Sequence, residues 1–215
     1  MTPVDALTLH DDEHGEDSYK VRLLLAFLQV PHRRPPMDVY PGEAHRSAAF
    51  LALNPLGACP VIVGEGFILR DAHAILQYLA AEHDPAGLWS PRAPPLAMAR
   101  VAMWLGFAAE LTIAVSAARR HDMLLERGID VAAARIQAHR LLRVLDEHLW
   151  FAEQEERAWL CPQEHPTIAD IACFAPAVLC EEGDISRLTY PAIRRWLDRF
   201  KRLPHFTAMA GVFGA

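Results

Sequence analysis

What this 215-residue chain has little of narrows its reading first. Its four cysteines, Cys59, Cys161, Cys173 and Cys180, form no Cys-x-x-Cys pair and sit among apolar neighbours. That spacing argues against a disulfide framework or a zinc site, and for reduced thiols in a cytoplasmic protein. Positive charge is not in excess either: 21 Lys+Arg against 27 Asp+Glu leave a net charge of −6. Neither a nucleic acid nor an anionic membrane surface is therefore an expected partner. No apolar run reaches the ~18 residues of a membrane span. The opening Met1-Thr2-Pro3-Val4-Asp5 lacks the basic region and apolar core of a secretory leader. Internal repeats and low-complexity tracts are absent as well. What is there is 52% hydrophobic, enough to bury a sizeable core in one large domain or two small ones.

Read in order, Ala6-Leu7-Thr8-Leu9-His10 is a short buried strand, followed by a polar loop, Asp11 to Glu16. Asp17 or Ser18 is expected to cap the first helix, with Val21, Leu24, Leu25 and Leu28 on its core face. Pro31 stops it, and Pro35 and Pro36 make His32 to Tyr40 an edge strand. A second helix is expected over Ala44 to Leu53, ended by Asn54-Pro55. Val61-Ile62-Val63 and Phe67-Ile68-Leu69 flank Gly64-Glu65-Gly66 and read as an antiparallel hairpin. Ala72, Ile75, Leu76 and Leu79 then fall on one helical face, so a third helix begins near Asp71. The order β-α-β-α-β-β-α suits one mixed sheet with helices on both faces.

Four prolines, Pro85, Pro91, Pro94 and Pro95, crowd the next stretch, and beyond them the strand pattern disappears. Long helical patterns run from Leu96 to about Leu125 and from Asp130 to about Gln154, broken by Gly128. The expected organisation is an α/β domain over 1–83, a proline-rich linker over 84–94 and an all-α helical bundle over 95–215. Thr167-Ile168-Ala169-Asp170 is a capping box, and Tyr190-Pro191 opens a last helix.

Four groups of residues invite a closer reading. Asp71, at a helix start, is an N-cap on the residues alone. Pro60 heads a strand and can hold a cis bond that turns the Cys59 main chain outward; the Cys59 side chain reads as a small apolar core thiol rather than a redox group. His10-Asp11-Asp12-Glu13-His14 offers five potential ligands, but Gly15 makes a shared helical face doubtful, so no dedicated metal is expected. Trp104, Phe107 and Leu111 have the spacing of a core face.

With Asn54-Pro55-x-Gly57-x-x-Pro60-Val61 and an acidic residue opening the third helix, the chain resembles cytosolic glutathione S-transferases of the bacterial type over nearly its whole length. The resemblance implies a thioredoxin-like α/β N-terminal domain followed by an all-α bundle, in which the Thr167 box opens a buried helix. It implies that glutathione is the co-substrate, held by Asp71 on its α-amino group, by the first N–H groups of the third helix on its α-carboxylate, and by the main chain at Cys59 and Pro60. Ala72 stands where the family usually has serine. The expected acceptor pocket takes His10 and His14 from the loop and Trp104 and Phe107 from the fourth helix, and the partner is a hydrophobic electrophile. A homodimer is also implied.

Aligning on Ser18-Tyr19-Lys20-Val21-Arg22 places Gly15 at the position of the usual thiol-activating serine. Ser18 is the nearest hydroxyl, so the expectation is weak transferase activity dependent on Ser18. The alternatives are glutathione-dependent thiol-disulfide or peroxide chemistry, and a non-catalytic member that serves as a binding module.

Overall fold

A computed structural model describes residues 7–209; Ala6, expected to open the first strand, lies outside them. The order is β1 Leu7–His10, α1 Glu16–Phe27, β2 His32–Arg33, α2 Ala48–Leu53, β3 Val61–Gly64, β4 Phe67–Arg70 and α3 Ala72–His83. The helices α4 Pro95–Met123, α5 Val131–Gln154, α6 Ile168–Leu179 and α7 Pro191–Phe200 follow. One four-stranded sheet runs β2-β1-β3-β4, with β1 and β2 parallel and the other neighbours antiparallel. Among the described residues every strand precedes residue 71. The fold is thus α/β followed by all-α, as the switch in hydrophobic period predicts.

Register decides where the site can be. His10, the last residue of β1, pairs with Val61, the first of β3, and Val61 pairs with Arg70, the last of β4. The end of β1, the start of β3 and the end of β4 therefore lie side by side at one edge. Neighbouring strands are about 4.8 Å apart, so the β1 and β4 ends are separated by roughly 10 Å. The hairpin turn needs Gly66, whose φ of 75° is in the left-handed region.

Behind that edge the core is continuous from sheet to bundle. Helix α6 is buried along its whole length, packs against α1 and α4, and carries Phe174 into stacking contact with Phe200, ring centroids 4.1 Å apart. Its capping box forms: Thr167 N–H donates to Asp170 Oδ2 at 2.9 Å, and Ala169 N–H to Thr167 Oγ1 at 3.3 Å. Asp170 also accepts from Leu160 N–H and the Trp196 indole, and needs all of them, since burial pushes its carboxyl up. The proline-rich stretch is pinned. Asp84 Oδ2 accepts from Trp89 N–H at 2.7 Å, and the Trp89 ring stacks on Phe27 at 4.8 Å.

Two local expectations are corrected. The stretch Ala44 to Leu53 is not one helix: a 3₁₀ turn, Ala44–Arg46, comes first, and Ser47 then caps α2 by accepting from Phe50 N–H at 3.2 Å. Neither Asp17 nor Ser18 caps α1. The cap position belongs to Gly15, which is extended (φ −79°, ψ 132°) and has no side chain to offer. Helix α4 is long and apolar enough by length and composition to cross a membrane, but half of that apolar window is buried inside the bundle.

Candidate functional site

Three pieces of main chain converge at the sheet edge. The first is the start of α3. Asp71 caps it, its Oδ1 accepting from Ala74 N–H at 2.9 Å, which leaves the N–H groups of Ala72 and His73 donating to no described residue. Asp71 holds φ at 77°, an unusual conformation for a residue with a side chain, of the kind that costs about 1–3 kcal/mol and clusters at ligand sites. The second piece is Cys59, whose peptide bond to Pro60 is cis and whose N–H and C=O bond to no described residue. The third is the start of α1, where Glu16, Asp17 and Ser18 leave three N–H groups donating to no described residue.

Helix starts carry partial positive charge and aimed donors, so two of them around an outward-facing strand end make a receptor for an extended anionic molecule. A tripeptide extends roughly 10 Å, the separation of the β1 and β4 ends. Asp71 is exposed and adds the single negative group suited to an ammonium at the α3 side.

The α1 side is harder to account for, because five carboxylates lie within seven residues: Asp11, Asp12, Glu13, Glu16 and Asp17. Asp11 and Glu16 are buried, where a solvated loop was expected. Each buried or helix-bound carboxylate has its own cation. Arg34 grips Asp11 with Nε 2.9 and 3.0 Å from its two oxygens, and Arg22 pairs with it from the other side. Asp17 pairs with Lys20 at 2.6 Å, and Glu16 with Arg119 at 2.8 Å. The last contact is an ion pair without the alignment of a hydrogen bond.

The same cations fix the loop. Arg22 also donates to the carbonyls of Asp12 and Glu13 at 3.0 and 2.9 Å, and Arg119 Nη1 donates to that of His14 at 3.1 Å. Lys20 is wholly buried at the junction of α1, α3 and α4, donating to Thr112 Oγ1 at 2.8 Å and lying 3.5 Å from His73 Nε2. Burial and then Lys20 bring the His73 imidazole down to about 4, Asp17 and Asp71 opposing. His73 is therefore neutral at neutral pH, and its Nε2 faces Lys20 as an acceptor.

The other expected site residues separate. Ser18 is 1% exposed, and its Oγ accepts from Asp12 N–H at 2.9 Å, tying down the loop. Ala72 is the first residue of α3 and contributes its main chain. Burial, with Asp12 and Asp11 adding, pushes the Cys59 thiol up to about 12, and its Sγ points at Met37 Sδ, 3.9 Å away. It is no nucleophile at neutral pH. His10 is half-buried, edge-on to Phe50, and burial lowers its pKa, Asp11 opposing; His14 is exposed. Trp104 is buried with its ring 4.6 Å from His148 and 5.0 Å from Phe107, and no hydrogen bond, ion pair or ring contact links either aromatic to the 10–16 loop. Helix α4 meets α1 further along, at Thr112 and Arg119. No group of three or more His, Cys, Asp or Glu side chains among the described residues is arranged to hold a metal ion.

Comparison with known proteins shows what the chain is similar to. Residues 18–82 match the glutathione S-transferase N-terminal domain. A maleylacetoacetate isomerase of Rhizobium meliloti is 38% identical over 80 residues, which span 37% of this chain and 37% of that enzyme. The disulfide-bond oxidoreductase YfcG of Escherichia coli is 26% identical over 87% of both chains. A crystal structure of a glutathione S-transferase from Xanthobacter autotrophicus superposes with a TM-score of 0.83 over 96% of this chain and 98% of that one, at 28% identity.

Proposed function

We propose that the chain is a glutathione S-transferase, as the match of residues 18–82 to that family's N-terminal domain and the whole-chain superposition support, and that it binds glutathione across this edge and transfers its thiol to a hydrophobic electrophile. The observation that carries the reading is the convergence of free donors: Ala72 and His73 at one helix start, Cys59 between, and Glu16 to Ser18 at the other. Asp71 takes the α-amino group of the γ-glutamyl residue, and the α3 N–H groups take its α-carboxylate. The Cys59 main chain pairs with the cysteinyl backbone in the manner of an added strand. The sulfur then lies at the start of α1.

Activation of the thiol falls to main chain. A free thiol of pKa about 8.5 is only about 3% ionised at pH 7, and each unit of depression needs about 1.4 kcal/mol of preferential stabilisation of the anion. Two or three N–H donors at a helix start supply that order of energy. Ser18 supports them from beneath by holding Asp12. The electrophile's pocket lies over His10 and His14 and the part of α4 that meets α1, near Thr112 and Arg119, with Trp104 and Phe107 further back in the bundle.

We place the protein in the reducing cytoplasm, consistent with four free cysteines, of which three are buried. Residues 1–83 and 95–215 act as two domains joined by 84–94. The protein works as a homodimer, for which Leu96 and Met103, a heptad apart and both 58% exposed on α4, supply apolar surface. Glutathione-dependent disulfide reduction is the second reading. It is supported by the similarity to the disulfide-bond oxidoreductase YfcG over 87% of both chains; the inert Cys59 leaves glutathione to supply the reacting thiol in either reading.

Titrating intrinsic tryptophan fluorescence with glutathione, followed by conjugation and disulfide-reduction assays, tests the proposal. Saturable binding with conjugation supports it. Disulfide reduction without conjugation selects the second reading, and absence of saturable binding at millimolar glutathione makes the protein a binding module for something else.

A further inference from the structure

We propose that Arg119 is a positioning residue of the thiol site: reaching over from the helical part, it fixes the His14–Glu16 turn and draws the Glu16 carboxylate off the helix start where sulfur is to sit. The inference rests on the reading of the α1 start as the thiol site. Glu16 is the first residue of α1 and buried, and a carboxylate there is naturally attracted to the free N–H groups of its own helix. It does not take them. The N–H groups of Glu16, Asp17 and Ser18 donate to no described residue, while Glu16 Oε1 accepts no hydrogen bond and lies 2.8 Å from Arg119 Nη1.

Arg119 is itself buried and held from behind, Nε donating to Glu182 Oε2 at 2.8 Å and Nη2 pairing with the same oxygen. It is thus one guanidinium with three anchors: Glu182 just after α6, the His14 carbonyl in the loop, and Glu16 at the helix start. Without it the Glu16 charge stands uncompensated beside a forming thiolate, and two anions so placed disfavour each other. The other titratable groups around this end are Asp12 and Asp17, Glu13 and His14 in the loop, His10 at the end of β1, Lys20, His73 and Asp71 from the α3 start, and Glu182 from the helical part. The Arg22–Asp11–Arg34 cluster lies behind the loop.

The test is the pH titration of bound glutathione's thiolate absorbance in the full-length protein. Arg119→Gln is expected to raise the pKa of the bound thiol by on the order of one unit, about a tenfold loss of thiolate at neutral pH. Glu16→Gln lowers it, and the double variant returns close to wild type, a rescue that a merely structural role for Arg119 does not produce. An unchanged titration in Arg119→Gln, or a double variant no better than Arg119→Gln, overturns the proposal. If Arg119→Gln fails to fold, Glu16→Gln decides alone: an unchanged or raised thiol pKa overturns it. Absence of glutathione binding by the wild-type protein is a different failure, that of the parent reading, and removes this inference with it.

Discussion

The two helix starts that frame the site are built in opposite ways. At α3 a single local residue does the work: Asp71 caps the helix, carries the charge and holds the unusual φ, all within four residues of the donors it serves. At α1 the local sequence is ill-suited to an anion, with a side-chain-free cap and five nearby carboxylates. It is made suitable by Arg22 and Lys20 from further along the helix, Arg34 from beyond β2 and Arg119 from α4. On the proposed function, the end that binds is local and the end that activates the thiol is assembled at long range. Substitutions at the two ends should accordingly differ in kind, affinity at α3 and thiol ionisation at α1.

The largest effect expected is at the α3 end. Asp71→Ala should weaken glutathione binding by about 1.5–3 kcal/mol, roughly 10- to 100-fold in Kd, whereas Cys59→Ala should leave it within a few-fold. Asp71→Asn retains a capping oxygen but not the charge, so calorimetry on it separates cap from ligand. Equal affinities in the Ala variants at 71 and 59 would place the ligand elsewhere.

Next is the buried junction between the two ends. His73 has a pKa near 4 in the folded protein against an ordinary 6.5, so the unfolded chain binds the extra proton between those values. Stability attributable to His73 is therefore full above pH 6.5 and falls as pH drops from 6.5 towards 4, by on the order of 2–3 kcal/mol. Urea denaturation of wild type and His73→Gln at pH 7.5 and pH 4.5 reads this as a difference of differences, free of the carboxylates that titrate in both. A pH dependence identical in the two proteins would contradict the assignment.

Gly15→Ser sharpens the comparison by giving α1 the local group it lacks. The backbone at Gly15 is one any residue adopts, and the atoms nearest an added Cβ belong to the Asp12 side chain, 3.1 to 3.3 Å away, so Asp12 must shift by a few tenths of an ångström to admit it. The added hydroxyl should lower the bound thiol pKa and raise turnover about tenfold, one hydrogen bond to a charged acceptor. An unchanged rate would mean the sulfur is not at that cap. The smallest effect is assigned to Ser18→Ala. It removes the acceptor of Asp12 N–H and should cost about 1 kcal/mol of stability while leaving the bound thiol pKa in place. A collapse of thiol ionisation instead would return the donor role to Ser18.

The same contrast explains what was legible in the sequence. The hairpin, the α3 start at Asp71, the capping box at Thr167 and the switch to all-helical structure are signalled by residues a few positions apart, and each formed. The α1 end was not legible, because Arg119 lies more than 100 positions from His14 and nothing in α4's own pattern marks it as reaching the loop. Read locally, Asp11 to Glu16 is a polar loop; two of its carboxylates are buried only because distant arginines neutralise them. Aspartate and serine favour cap positions, which makes Asp17 or Ser18 read as the cap, yet the helix begins earlier and a preference cannot fix a boundary to within one turn. At Ser47 the same preference did mark a true helix start inside a stretch read as one helix. Trp104 and Phe107 have core spacing and pack together in the bundle, but spacing does not reveal which turn of α4 faces the loop.

The measurement that bears most directly on the account is a glutathione titration followed by backbone amide shifts in the NMR spectrum. The account predicts the largest shifts together at Ala72 and His73, at Cys59, and at Glu16 to Ser18, saturating at one glutathione concentration. Shifts confined to the α3 end with Glu16 to Ser18 unmoved, or centred on the cleft lined by Leu88, Arg92 and His165, would contradict it.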